Sequence, residues 1–193
     1  MRMNQQSEDR MLISEIKNGD SRAYESLVRK YQKNIYLLCH RMTGAHQSAE
    51  DLSQETFVKA FFSLHTFKDG MNFFTWIRKI AVNSSLNYLR IRKREQPLGD
   101  KDTTITSNTY SGSQESPQEI LEKKRVEKKF LKTLQSLPLD QKTIFILKVY
   151  ENLSYKEISD LLDIPLGTVM SRLNRARKKL QSALTEYLEG GLL

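Results

Sequence analysis

The chain is poor in residues that anchor covalent or metal chemistry. It has one cysteine, Cys39, which excludes an intrachain disulfide and any cysteine-based zinc site. Its histidines are His40, His46 and His65, and none falls in an HExxH or other ligand spacing. No metal site and no cofactor are expected. No apolar run approaches the roughly 20 residues of a membrane span, so no membrane insertion is expected. Met1 to Arg10 is polar, without the apolar core of a signal peptide. A reducing, cytoplasmic setting follows as an expectation. No GxGxxG, Walker or GxSxG pattern occurs. With no visible nucleophile, dinucleotide site or metal site, the expectation is a protein that is not an enzyme.

Positive charge is what the chain has in surplus. Its 193 residues include 31 Lys+Arg against 23 Asp+Glu, a formal net charge of +8. Such a surplus favours an anionic partner, most often nucleic acid. Hydrophobic residues are 38% and charged residues 28%, lean for a globular chain. The length suits one ordinary domain or two small ones.

No segment sustains strand alternation, so the fold class predicted is all-α. Tyr24, Leu27, Tyr31, Ile35, Leu38 and Met42 recur every three or four residues as one buried stripe, and Gly44 ends that helix. Further helices are predicted from about Ser48 to Leu64 and from about Asn72 to Arg94. Glu95 to Glu119 then carries two prolines, two glycines and many Ser/Thr, and five acids face one base. It cannot bury a core and reads as a flexible acidic linker. Helices resume near Ile120, with a stripe of Val126, Phe130, Leu134 and Leu137 ending at Pro138. The expected organisation is a helical domain over 8–94, a linker over 95–119 and a second helical domain over 120–188.

The sharpest motif is C-terminal. Ser154-Tyr-Lys-Glu157 fits a capping box, a tight turn follows at Asp163-Ile164, and Pro165 stands where the first position of the next helix is expected. This reads as a helix-turn-helix. Val169, Leu173, Ala176 and Leu180 face inward by spacing, which leaves Met170, Ser171, Asn174, Arg175 and Lys178 outward. From Pro165 to Gln181 there are five bases and no acid. Arg and Lys can hold phosphates there, and Ser or Asn can read base edges. A merely solvated basic face would have the same composition.

Two other stretches invite function. Arg78 to Arg94 holds Arg78, Lys79, Arg90, Arg92, Lys93 and Arg94 without an acid, near Phe67, Phe73, Phe74, Trp76 and Tyr88. Bases interleaved with aromatics suit single-stranded nucleic acid, although Phe73, Phe74 and Trp76 could equally be core. In the helix from Ser48, Ala49, Leu52, Thr56 and Ala60 share one face, while Asp51, Gln54, Glu55, Val58 and Phe62 share the other. A face mixing acids with apolar groups suits protein docking.

Ala49-Glu-Asp-Leu-Ser-Gln-Glu-Thr-Phe-Val-Lys-Ala-Phe61, Phe74-Thr-Trp-Ile-Arg-Lys-Ile-Ala-Val-Asn83, Leu153-Ser-Tyr-Lys-Glu-Ile158 and Ile164-Pro-Leu-Gly-Thr-Val169, followed by Ser171-Arg172 and Arg175-Ala-Arg177, resemble bacterial sigma-70 family factors. The nearest class is the small extracytoplasmic-function (ECF) group with only domains two and four. The resemblance spans about residues 10–185.

It implies a promoter-specificity subunit that binds core RNA polymerase and promoter DNA, acting in an envelope or stress response under an anti-sigma factor. Asp51, Gln54, Glu55, Val58 and Phe62 would dock on the polymerase β′ clamp helices. Phe67, Lys68, Asp69, Gly70, Met71 and Asn72 would form the loop that captures a flipped −10 base, beside Lys79, Asn83 and Asn87 on the −10 reading helix. Lys79 stands where some relatives have Arg. Thr168, Met170, Ser171, Arg172, Asn174, Arg175 and Lys178 would face the −35 element, in a domain that also meets the β flap. Some relatives carry a base at the position of Met170 and an aromatic at that of Asn174. The linker resembles the tether that threads the polymerase cleft. The rival readings are an ordinary duplex-binding regulator, an RNA-binding adaptor and, least of all, a nuclease.

Overall fold

The computed structural model describes residues 2–68, 70–95 and 117–189, with side chains for 7–68, 70–95 and 120–185. Asp69 and most of the expected linker, 96–116, lie outside the described residues. Among those described the chain is helical, without a strand. It divides into two compact units, Met1–Asp102 and Thr103–Leu193.

The first unit contains α1 (Arg2–Lys17), α2 (Arg22–Thr43), α3 (His46–Ser63), a 3-10 turn (Leu64–Thr66) and α4 (Phe73–Glu95). The stripe on α2 is buried as its periodicity predicts: Leu27, Ile35, Leu38 and Met42 are fully covered. Gly44 closes the helix in the left-handed region (φ 76°), its N–H donating to the His40 carbonyl. Each buried aliphatic side chain contributes about 1.5–3 kcal/mol. An exposed pair such as Arg29–Glu25 is worth about 0.3–0.5 kcal/mol, so the core decides this fold. The tyrosines of the stripe are half-buried, with polar partners for their hydroxyls. Tyr24 donates to the Phe57 carbonyl (2.6 Å) and Tyr31 to Asp9 (2.6 Å).

Helix α1 was not signalled by periodicity. Buried Ile13 and a polar cluster pin it: the buried Asp9 carboxylate accepts from Lys30 (2.7 Å) as well as from Tyr31, and Glu8 accepts from Lys30 (2.6 Å). Cys39 is fully buried, and burial pushes its thiol up to about 11. It stays protonated and unreactive at neutral pH.

The second unit contains α5 (Pro117–Gln135), α6 (Leu139–Val149), α7 (Tyr155–Leu162) and α8 (Leu166–Glu189). Two edges of the expected linker are therefore helical: Glu95 ends α4, and Pro117–Glu119 form the first turn of α5. Proline is tolerated there because its missing N–H would have no helical partner. The capping box of α7 is complete, with Ser154 Oγ accepting from the Glu157 N–H (3.2 Å) and Glu157 accepting from the Ser154 N–H (2.7 Å). Asp163 turns the chain in the left-handed region (φ 53°). Pro165 stands one place earlier than expected: α8 opens at Leu166, and the Pro165 carbonyl accepts from the Thr168 and Val169 amides. Lys142 is buried in α6, donates to Gln135 (3.0 Å), and burial lowers its ammonium to about 8.

Candidate nucleic-acid interface

In the second unit, Val169, Leu173, Ala176 and Leu180 are buried. Met170, Ser171, Asn174, Arg175 and Lys178 are exposed on the opposite side of α8, and Thr168 is half-buried. Each inward residue lies three or four positions from the next, so the outward set is one continuous face. Arg172 departs from the expected reader set: it sits on the flank, and its Nε donates to Asp140 of α6 (2.9 Å). That pairing spends part of its charge within the unit. A shallow groove of about 510 Å³ runs along this face, lined by Tyr155, Gly167, Met170, Ser171, Asn174 and Arg177. The sequence did not single out Tyr155, Gly167 or Arg177 as site residues. The groove joins the start of α7 to α8, and periodicity within one helix carries no signal for such a pairing.

The face of α3 expected to dock a protein is one-sided as well. Ala49, Leu52, Thr56 and Ala60 are buried, and Asp51, Gln54, Glu55, Val58 and Phe62 are exposed. Phe62 is 74% exposed and Val58 54%, a large apolar area left in water and therefore one with something to gain from a partner. Phe61 beside them is also partly exposed, its ring edge-on to Tyr24 at 5.0 Å. Glu55 pairs with Lys59, whose ammonium also donates to Ser84 of α4 (3.1 Å).

Two candidate sets separated in sequence meet here. Val58, Phe62 and His65 face Ile80, Asn83 and Asn87 across a groove of about 550 Å³ between α3 and α4. The exposed phenylalanine and the two exposed asparagines are thus one surface. Asp51 and Gln54 lie further up α3, outside that groove, as do Lys79 and the loop before α4.

That loop corrects part of the expectation. Phe67 is only 4% exposed, with its ring against Trp76 (5.4 Å) and Phe73 (6.0 Å). It is a core residue and has no free face for a base. Phe73 is core as well, Trp76 is half-buried, and Phe74 stacks on Tyr31 (5.2 Å). Arg78 is 7% exposed and lies over the Phe74 ring (4.3 Å), so it belongs to the interior and not to a phosphate-binding strip. The strip that remains exposed is Lys79, Arg90, Lys93 and Arg94, with Arg92 half-buried. Asn72 spends its side chain on the start of α4: Oδ1 accepts from the Thr75 N–H (2.9 Å). Lys68, Gly70 and Met71 are exposed, and Gly70 adopts φ 91°, a conformation suited to glycine. Asp69 lies outside the described residues.

Among the described residues no group of His, Cys, Asp and Glu could hold a metal ion, and no helix is long and apolar enough to cross a membrane.

The chain is similar to known proteins along nearly its whole length. The sigma-70 region 2 family model matches residues 27–95, and the sigma-70, region 4 model matches residues 127–180. RNA polymerase sigma-H factor of Pseudomonas aeruginosa is 36% identical over 95% of this chain and 97% of its own length. ECF RNA polymerase sigma-E factor of Escherichia coli K12 is 33% identical over 93% of this chain and 96% of its own. Among solved structures, the sigma factor RpoE of Bartonella quintana, in complex with the anti-sigma factor NepR, aligns with TM-score 0.62 and 27% identity, covering 84% of this chain and 96% of that one. CnrH, in complex with the cytosolic domain of CnrY, shares the fold (TM-score 0.64, 23% identity, 93% and 98% covered). With two family models in order and full-length relatives above 30% identity, the chain belongs to the sigma-70 family as an ECF RNA polymerase sigma factor, a transcription initiation factor that directs core polymerase to specific promoters.

Proposed function

We propose that the two units divide promoter recognition. The α8 face of the second unit reads the −35 element as duplex, with Ser171, Asn174 and Met170 toward base edges and Arg175 and Lys178 toward phosphates. The α3/α4 groove of the first unit holds the −10 element as single strand. Asn83 and Asn87 contact an extruded base, helped by Lys79 and the exposed part of the 68–72 loop. Extrusion costs a few kcal/mol, which hydrogen bonds and apolar contact in a pocket offset. Asp51, Gln54 and Glu55, with Val58 and Phe62 at the groove rim, bind the β′ clamp helices. The second unit also meets the β flap, and the acidic 95–119 linker spans the polymerase cleft.

The observation that carries this reading is the pairing of two one-sided helices: α8, basic and polar outward, and α3, acidic and apolar outward. The protein is read as cytoplasmic and non-enzymatic, serving an envelope or stress response. The Bartonella relative was solved with an anti-sigma factor. We extend such control to this chain, with a protein partner covering Phe62 and its neighbours until release. Run-off transcription on fragmented bacterial genomic DNA, with sigma-free core polymerase, tests the reading. Discrete transcripts that need this chain, sharing two upstream elements, support it. Duplex binding without transcripts favours an ordinary DNA-binding regulator.

A further inference from the structure

Resting on the −35 reading of α8, we propose that Met170 and the Tyr155 ring form an apolar seat for the C5-methyl group of a thymine in the −35 duplex. Met170 is 51% exposed in the middle of the reading face. Unlike its outward neighbours Ser171, Asn174 and Arg175, it has no hydrogen-bond donor. A thioether cannot pair with the N7 and O6 edge of guanine or complete the two-bond pattern of adenine. The thymine methyl is the apolar mark that distinguishes bases in the major groove. Methionine is also adaptable and polarisable enough to close on a small apolar group.

The surroundings are built for this use. Tyr155 lines the same groove from the start of α7. Its ring is covered by the Lys148 ammonium, 5.1 Å from the centroid, and that ammonium also donates to the Leu153 carbonyl (3.1 Å). The aromatic wall is therefore held in place. Gly167 lines the same groove, and a Cβ there would meet nothing within 4 Å. The Ser171 hydroxyl donates to the Thr168 carbonyl (3.1 Å), so toward a base edge its oxygen is left to accept and does not donate to a base acceptor at this spot. Asn174 and Arg177 give the groove a polar, cationic rim that suits the duplex backbone.

The test uses the full chain with core polymerase on a promoter that it transcribes. Each −35 thymine is replaced singly by deoxyuridine, which deletes only the methyl group. At one thymine the wild-type holoenzyme should bind about four-fold more weakly, the worth of one buried methyl-sized group. Met170→Ala should bind the two templates alike. Gly167→Ala is the second variant. Its new methyl enters open space and suits the helix, so the fold persists while the seat narrows and the thymine preference shrinks. Met170→Arg should move the preference at that base pair toward guanine. Deoxyuridine that is neutral at every position, a −35 element without thymine, or an unchanged penalty in Met170→Ala would each overturn the proposal while leaving the −35 reading intact. Failure of that reading shows differently: scrambling the whole −35 element would leave holoenzyme binding unchanged, and both would fall.

Discussion

The α3/α4 groove and the α8 face, which we propose both meet the promoter, are made of opposite materials. The α8 face is cationic and polar, carries no acid from Pro165 to Gln181, and rests on a buried stripe of Val169, Leu173, Ala176 and Leu180. The groove offers an exposed phenylalanine, a valine and two asparagines, with Lys59 engaged by Glu55 and Ser84. The difference matches two states of DNA. A duplex presents phosphates and a readable groove edge, so charge and short polar side chains suffice. An unpaired base presents an apolar face and a bare hydrogen-bonding edge, which a groove with amides can take up. The interiors differ as well. Arg78 in the first unit is buried over the Phe74 ring, whereas Lys142 in the second is a buried ammonium donating to Gln135.

The largest expected effect separates protein docking from DNA reading. Phe62→Ala should weaken core polymerase binding at least about thirty-fold, as loss of an aromatic interface anchor does, whereas Arg175→Ala should leave it unchanged. Fluorescence-anisotropy titration of labelled chain with core polymerase checks both. If both lower affinity equally, the two surfaces are not specialised as described.

Next comes the buried cation. Burial places the Lys142 ammonium at about 8 in the folded unit, below its ordinary 10.5. Between those values the unfolded chain binds more protons than the folded one, so stability rises with pH across that window and is lost as pH falls toward 8. The gain is on the order of 3 kcal/mol. Hydrogen exchange of the Ile144–Leu147 amides, compared between wild type and Lys142→Met, should show this rise for wild type only.

Within the groove, Asn83→Ala should cost about ten-fold in binding of a −10 single strand by holoenzyme, the loss of one base-edge contact, with core polymerase affinity preserved. Because Asn83 and Phe62 share one groove, a joint loss would show that the groove serves a single partner. The smallest effect is a matter of salt. Removing Arg175 and Lys178 together should lower the logarithmic salt slope of promoter binding by about 2, and Asn83→Ala should leave the slope unchanged.

Much of this architecture was legible in the sequence because it is local. The α2 stripe, the Gly44 stop, the Ser154 capping box and the two faces of α3 and α8 each follow from spacing along one helix. What the sequence did not show depends on contacts between helices. Helix α1 has a weak apolar pattern, and its Asp9 is held by Lys30 and Tyr31, which lie more than twenty residues further along the chain. Phe67 and Arg78 read as nucleic-acid contacts because aromatic and basic residues look alike in core and interface. Only their packing on Trp76 and Phe74 distinguishes them. Tyr155 and Gly167 form a groove with Met170 across a turn, and the meeting of Phe62 with Asn83 needs α3 laid against α4. Neither is encoded in any one helix's period.

The division of labour between the two units is best tested by replacing single adenines of a transcribed promoter with 2-aminopurine, whose fluorescence rises when it unstacks, and adding holoenzyme. The account predicts a rise at a −10 position that Asn83→Ala diminishes, and none at any −35 position. A rise within the −35 element, or a silent −10 element on a promoter that is nonetheless transcribed, would contradict it.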